Sequence, residues 1–361
     1  MSCTERRRVT KHFTFLFFQI FTCQNFFPDF CGMEDFQKLF ESFTSLKVGV
    51  IGDVMLDTYI WGKVDRISPE APVPVVSLGS KEYRIGGAGN VALNCKSLGA
   101  AVFVLSVTGN DTDGILLEEL LIENGIDTSY LVKTQERITT SKTRIISRNQ
   151  QMMRLDSEVT HDLNSNDEIL LLEKVKSFIE TEDPDVIVFE DYNKGVLTGN
   201  IITKVISLCR EAGVLTAVDP KRKNFFAYDG VDLFKPNLKE AKDGLNLLSD
   251  KVDQDSLLRI HTELENILHH KISFITLSEK GVFYCENGQS GMIPSHLRNI
   301  SDVSGAGDTV IAVASLVYAA TGKLHLMAEI ANIAGGLVCE EVGTVAINKE
   351  KLMNECELLL S

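Results

Sequence analysis

The sequence predicts an α/β protein: a mainly parallel, doubly wound sheet with helices on both faces and a small β-sheet lid. Three observations carry this. From Leu46 onward short apolar runs alternate with stretches of helical length, the rhythm of strand–helix–strand units. Two segments, 59–85 and 130–156, break that rhythm with alternating apolar positions and no helical spacing. Glycine-rich or charged clusters recur where the apolar runs end, the edge of an α/β sheet at which ligands collect.

Taken in order, Asp35–Phe43 is amphipathic and leads into a strand at Lys47–Gly52. Ala88–Leu98 has helical spacing and stops at Gly99, a residue suited to the left-handed turn after a helix. Val102–Val107 reads as a strand, and Ile115–Glu123 as a helix closed by Gly125. Further buried strands are expected at Val186–Phe189, Leu215–Val218, Leu233–Phe234 and Phe274–Leu277, separated by helices near 166–181, 198–211 and 256–268. The last third is helical at 307–320, 326–339 and 349–359. The segments 59–85 and 130–156 both emerge from the N-terminal half and predict the lid, whose apolar strands also suit a homodimer.

Composition narrows the function. The chain has 361 residues, 44% of them hydrophobic, and a formal charge of −14. That sign, with no long Lys/Arg run, argues against a nucleic-acid partner. Eight scattered cysteines without metal spacing fit a reduced, cytoplasmic setting, and His269-His270 lacks a ligand at i,i+4 spacing. Residues 1–32 differ in texture: Arg6-Arg7-Arg8 precedes the aromatic run Phe13–Phe21, which is too short to span a bilayer. They read as a non-native or disordered extension, and 33–361 as the functional domain.

The most informative junction is Ser301-Asp302-Val303-Ser304-Gly305-Ala306-Gly307-Asp308-Thr309, followed at once by the apolar run Val310–Ala320. A glycine turn opening a helix presents free N–H groups and the positive end of the macrodipole to an anion. Asp308 is then either an ordinary first-turn acid or a general base beside a phosphoryl group. Asp53 and Asp57 follow the first strand and could accept bonds from sugar hydroxyls. Gly86-Gly87-Ala88-Gly89-Asn90 offers amides and a carboxamide, and Glu190–Gly195, with Asp191 and Lys194, ends another strand. Asp219-Pro220-Lys221 brings together a carboxylate and an ammonium. Asn237 and Glu240, three apart at a helix start, read either as a capping pair or as holders of the water shell of Mg²⁺.

In this order, the early Gly52-Asp53, Gly86-Gly87…Asn90, Asn237-Leu238-Lys239-Glu240 and Gly305-Ala306-Gly307-Asp308 resemble the PfkB/ribokinase family of sugar kinases over about residues 46–347. Gly52–Asp57, Arg66–Val75 and Ser147–Gln151 look most like the D-glycero-β-D-manno-heptose 7-phosphate kinases of ADP-heptose synthesis. The resemblance implies a ribokinase-like fold and transfer of a phosphoryl group from ATP to the anomeric hydroxyl, giving heptose 1,7-bisphosphate. It implies Asp308 as base beside the Gly305, Ala306 and Gly307 turn, and Asp53, Asp57, Gly86, Gly87, Asn90, Arg148, Asn149, Asp191 and Lys194 around the sugar. Asn237, Leu238, Lys239, Glu240, Ser278, Gly281 and Asn332 fall to the nucleotide, with Mg²⁺ held through water by Glu240. K⁺ near Asp302 is a further expectation. Many relatives continue into a nucleotidyltransferase, so ending at Ser361 implies the kinase step alone. Arg84, Lys142, Arg144, Arg148 and Lys194 are candidates for the sugar's phosphate. Three readings compete: another sugar or nucleoside kinase, a silent sugar-phosphate sensor, and an NAD-dependent oxidoreductase suggested by Gly87-x-Gly89-x-x-Ala92. The last lacks the buried strand that should precede such a motif.

Overall fold

The computed structural model describes residues 35–148, 150–248 and 252–360. The expected extension at 1–32 and Asn149 lie outside the described residues.

Helix α1 (Phe36–Ser42), capped by the Asp35 side chain, buries Phe36, Leu39 and Phe40 and hands the chain to β1 (Lys47–Gly52). One residue, Asp53, separates β1 from the long β2 (Val54–Ile67), which returns as β3 (Pro74–Gly87) directly into α2 (Ala88–Ser97). Next come β4 (Ala101–Leu105), β5 (Val107–Gly109), α3 (Thr112–Glu123), β6 (Val132–Thr134), β7 (Ser141–Ser147) and β8 (Gln150–Ser157). The alternating stretch follows: α4 (Ser165–Glu182), β9 (Val186–Glu190), α5 (Gly199–Ala212), β10 (Leu215–Asp219), β11 (Leu233–Phe234), α6 (Leu238–Gly244), α7 (Gln254–Leu268) and β12 (Ile272–Thr276). The chain closes with β13 (Val282–Glu286), β14 (Gln289–Ile293), α8 (Ala306–Thr321), α9 (Leu324–Val338) and α10 (Lys349–Leu360).

Among the described residues these strands form an eight-stranded sheet ordered β14-β13-β12-β11-β10-β9-β1-β4, a four-stranded sheet β3-β2-β7-β8 and the pair β5-β6. From β12 to β4 all main-sheet pairings are parallel, so both faces must be covered. One face packs on α2, α8, α9 and α10, whose Val310–Val317 run is buried almost throughout. The other packs on α4, α5 and α7, each with one apolar stripe. The strand order reverses at β1, between β4 and β9, where ligands gather beyond the carboxyl ends of an open α/β sheet.

Three local differences from the sequence reading have physical causes. The expected strand 102–107 breaks at Ser106, whose hydroxyl donates to the Gly52 carbonyl at 2.6 Å. Val132–Thr134, grouped with the lid by its β-like composition, pairs instead with Val107–Gly109. The sheet also ends in the antiparallel hairpin β13–β14, turned at Asn287 and Gly288 with φ of 48° and 80°. Asn-Gly with both φ positive is the turn that matches strand twist.

Candidate active site

The carboxyl ends of β1, β9, β10 and β11 and the start of α8 converge on one centre. The α8 helix opens at Gly305, whose φ of 78° places it in the left-handed region, and a Cβ there would lie 2.9 Å from Asn90 Nδ2. The turn thereby brings Asp308, in the first helical turn, beside α2. Asp308 is 4% exposed; its Oδ2 accepts from Asn90 Nδ2 at 2.7 Å and its Oδ1 from the Tyr192 hydroxyl at 2.8 Å. Burial pushes its carboxyl up to about 6, against the two hydrogen bonds, which pull it down. Asn90 is held in turn by Asn94, whose Nδ2 donates to it. A base with this poise works near neutral pH.

Three lines of charge flank Asp308. Asp219, at the end of β10, accepts from Lys221 Nζ at 2.9 Å and from Lys235 Nζ at 2.7 Å. Burial would raise the Asp219 carboxyl, but the two ammonium groups outweigh it and hold the carboxyl below its ordinary value. Lys221 also reaches Glu240 Oε1 at 3.3 Å. Burial opposes its charge, yet Asp219, Glu190 and Glu240 overcome that and raise its pKa. Glu190, at the end of β9, is fully buried, and burial, then Asp219 and Asp308, drive its carboxyl well upward.

A cavity of about 750 Å³ opens from this centre, lined by Asp308, Lys221, Glu240, Ser278, Gly281 and Asn332 among others. Both Asn237 and Glu240 line it while forming a reciprocal capping box, Glu240 N to Asn237 Oδ1 and Asn237 N to Glu240 Oε2, each 2.8 Å. The capping reading of that pair is the one the structure shows: Glu240 Oε2 caps, while Oε1 lies 3.3 Å from Lys221 Nζ. Leu238 and Lys239 belong to the same first turn of α6. Asn332 on α9 donates to the Pro294 carbonyl at 2.9 Å, and at Gly336, one turn further on, the Arg298 side chain packs so closely that a Cβ would lie 2.8 Å from its Nε.

The residues expected around the sugar divide. Gly86 and Gly87 end β3 beside Asp53 and Asp57, and a Cβ at Gly87 would stand 2.3 Å from the Asp53 carbonyl. Asp53 itself is 2% exposed, with Oδ2 accepting from the amides of Tyr192 and Lys194 and Oδ1 from Val196, at 2.9–3.0 Å. Burial raises its carboxyl in spite of those three bonds. Asp191 is similarly enclosed by the Asn193 amide, Asn224 and Tyr228. Asp57 lies inside lid strand β2 rather than in a turn after β1, paired with Arg144 at 2.6 Å. Lys194 pairs with Glu158 at 2.7 Å, and Arg84 with Glu82 at 2.6 Å. Arg148 stands exposed at the β7–β8 turn with φ of 52°. Lys142 of β7 is half-buried, makes no ion pair among the described residues, and sits 5.6 Å from the centre of the Tyr192 ring. Burial, then Lys194, lowers its pKa. Asp302 accepts from Ser304 N and Oγ and from Gly343 N, at 2.8–3.0 Å. Burial would raise the Asp302 carboxyl, but those bonds outweigh it and lower it.

Sequence reasoning assigned no role to Tyr192 or Lys235. Tyr192 carries a hydroxyl to the candidate base, and Lys235 is a lysine 2% exposed. Their position directly after apolar strands was the available signal. Cys95, Cys209, Cys285 and Cys356 are buried free thiols and Cys339 is half-buried, away from any metal grouping. Among the described residues no helix is long and apolar enough to cross a membrane.

The profile of the pfkB family carbohydrate kinases matches residues 45–351. The bifunctional protein HldE of Helicobacter hepaticus is 38% identical over 311 residues, 86% of this chain and 63% of that protein. That of Citrifermentans bemidjiense is 38% identical over 320 residues, 88% of this chain and 65% of the relative. The chain thus spans less than two thirds of the length of these curated relatives. Among solved structures, phosphofructokinase-2 of Escherichia coli in complex with potassium aligns with a TM-score of 0.73 at 18% identity, over 88% of this chain and 99% of that one. The Arabidopsis thaliana ribokinase complexed with ribose and ATP aligns with a TM-score of 0.66 at 16% identity, over 85% and 98%. At these identities the likeness establishes a ribokinase-like α/β fold. With 45–351 covered by one family profile, this chain belongs to the pfkB family of carbohydrate kinases.

Proposed function

We propose that the protein phosphorylates D-glycero-β-D-manno-heptose 7-phosphate at O1 with ATP, giving heptose 1,7-bisphosphate for ADP-heptose synthesis. The observation that carries the chemistry is Asp308: a buried carboxylate at a helix start, oriented by Asn90 and Tyr192 and open to a large cavity. In this reading Asp308 takes the proton from the sugar O1 as the oxygen bonds to the γ-phosphorus of ATP. The bond from that phosphorus to the bridging β-phosphate oxygen breaks, releasing ADP. The Gly305, Ala306 and Gly307 amides compensate the charge that develops on the transferring group. Lys221 and Lys235 add positive charge on the nucleotide side. ATP occupies the cavity, with its base between Ser278–Gly281 and Asn332.

Glu240 fits Mg²⁺ held through water rather than directly, because it lines the cavity with its Oε2 fixed by the cap and its Oε1 3.3 Å from Lys221 Nζ. When bound there, the ion neutralises phosphate charge. Asp302, held by the Ser304 amide and hydroxyl and by the Gly343 amide, can favour K⁺ by its charge and by fixing the 302–304 turn, and a K⁺-to-tetramethylammonium exchange tests it.

The acceptor assignment draws support from the HldE relatives and from segments 66–75 and 147–151. Asp57, Gly86, Gly87, Arg148 and Asn149 surround the sugar in this reading, while Asp53 and Asp191 shape the wall through the 192–196 segment. Lys142, with no ion pair among the described residues and beside the Tyr192 ring, meets the acceptor's phosphate in this reading. Exposed Ile67, Leu78, Met153 and Leu155 on the four-stranded sheet support a homodimer through the lid, and sedimentation of a Leu155→Asp variant tests it. For the reaction, ATP consumption is measured with heptose 7-phosphate, fructose 6-phosphate and ribose. Preference for the heptose supports the assignment, and equal or greater turnover of the others overturns it.

A further inference from the structure

Arg84 is a lid cation whose contacts leave the lid. Its Nε pairs with Glu82 at 2.6 Å within β3, but its Nη1 crosses to the loop between α9 and α10. There it donates to the carbonyls of Val342 at 3.3 Å and Thr344 at 3.1 Å. A guanidinium Nη carries two protons, so one nitrogen serves both carbonyls. Gly343, between them, has φ of 76°, and a Cβ there would stand 2.8 Å from Arg84 Nη1. A glycine admits that approach without strain.

The loop that Arg84 holds is tied to the glycine turn. Gly343 N donates to Asp302 Oδ2 at 2.9 Å, and Asp302 Oδ1 accepts from Ser304 N at 3.0 Å and Ser304 Oγ at 2.8 Å. Thr344 packs so closely on Gly305 that a Cβ there would lie 3.1 Å from Thr344 Cγ2. On its other side the Arg84 guanidinium lies 4.7 Å from the centre of the Tyr59 ring, a cation–π distance. The Arg144 guanidinium, which pairs with Asp57, lies 5.1 Å from the same ring. Direct contacts thus run from Asp57 and Arg144 through Tyr59 and Arg84 to the 302–305 turn.

We propose that Arg84 is a positioning residue: it fixes the 342–344 loop and, through Asp302, sets the Ser304–Gly305 turn that opens α8. With Nε and Nη1 given to protein acceptors, it serves the phosphoryl end of the site and is not a ligand of the acceptor's phosphate. The kinetic consequence rests on the kinase reading, whereas the tie between lid and turn does not.

The test is amide hydrogen exchange on the ligand-free full chain, compared among the unmodified protein, Arg84→Lys and Arg84→Gln. A hydrogen bond from a charged group corresponds to at least about tenfold in an opening equilibrium. The Gly343 and Ser304 amides should therefore exchange at least about tenfold faster in Arg84→Gln and less fast in Arg84→Lys, which keeps the charge. The Val48–Ile51 amides of β1 should not change. Unchanged rates at 343 and 304 overturn the proposal, as does an equal rise in β1, which would mean general loosening. If Arg84→Gln does not fold, rates in Arg84→Lys that match the unmodified protein overturn it. With a phosphoryl acceptor that the protein turns over, Arg84→Gln should lower kcat at least about tenfold and leave KM for that acceptor within about twofold. A raised KM with unchanged kcat would make Arg84 a phosphate ligand and overturn the proposal. Because the exchange measurement uses no sugar or turnover, its failure leaves the kinase reading standing, and failure of the acceptor panel leaves the tie standing.

Discussion

Replacing Tyr192 with Phe removes one hydroxyl and keeps the ring that separates Lys142 from Lys221. The lost bond is the 2.8 Å donation to Asp308 Oδ1, which favours the ionised carboxylate. A hydrogen bond to a charged group is worth about 1.5–3 kcal/mol, and about 1.36 kcal/mol corresponds to one pKa unit. The Asp308 carboxyl, now at about 6, should therefore rise to between about 7 and 8. As base, Asp308 works only when ionised, so kcat in the unmodified enzyme falls as pH drops through about 6. In Tyr192→Phe that acid limb moves to higher pH, while the plateau above it changes far less. The assay is kcat against pH from 5 to 9 at saturating ATP and acceptor, with an ionic-strength-matched buffer series. An acid limb that stays where it was would show that Asp308 is not the titrating base or that Tyr192 does not touch it in the working enzyme.

Asp308→Asn should lower kcat at least about 100-fold, within the range for losing a general base, while calorimetry still detects ATP binding; near-normal turnover would remove Asp308 from the mechanism. Lys142→Ala should raise KM for the sugar phosphate several times more than KM for ATP, and an equal rise in both would move Lys142 off the acceptor side. Gly87→Ala should lower the melting temperature by several degrees. Its φ of 60° alone costs about 1–3 kcal/mol for a side chain, and the new Cβ meets the Asp53 carbonyl at 2.3 Å. An unchanged melting curve would contradict that geometry.

Most of the scaffold was readable because apolar periodicity sets which faces are buried. The apolar runs at 47–52, 186–189 and 215–218 suit strands buried on both faces of a parallel sheet, and each is a strand there, extended by one residue in the last two. The Asn287-Gly288 dipeptide between β13 and β14 is an equally direct hairpin signal. What periodicity cannot convey is the partner of a polar group. Asp53 and Asp57 look alike in sequence, both carboxylates after one strand. Yet Asp53 spends its oxygens on three amides some 140 residues away, while Asp57 meets Arg144 across the lid. Tyr192 was invisible for the same reason, since its importance lies in a hydroxyl contact 116 residues distant. The glycine turn and Asp308 were legible because anion geometry and helix start are local properties.

Asp53 has one more consequence. It is the sole residue between β1 of the main sheet and β2 of the lid, and its carboxylate grips the stretch that bears Tyr192. The joint between the two sheets and the Tyr192 hydroxyl that donates to Asp308 are therefore tied through one carboxylate. In the proposed kinase reading, a contact made at the lid and the poise of the candidate base share a single side chain.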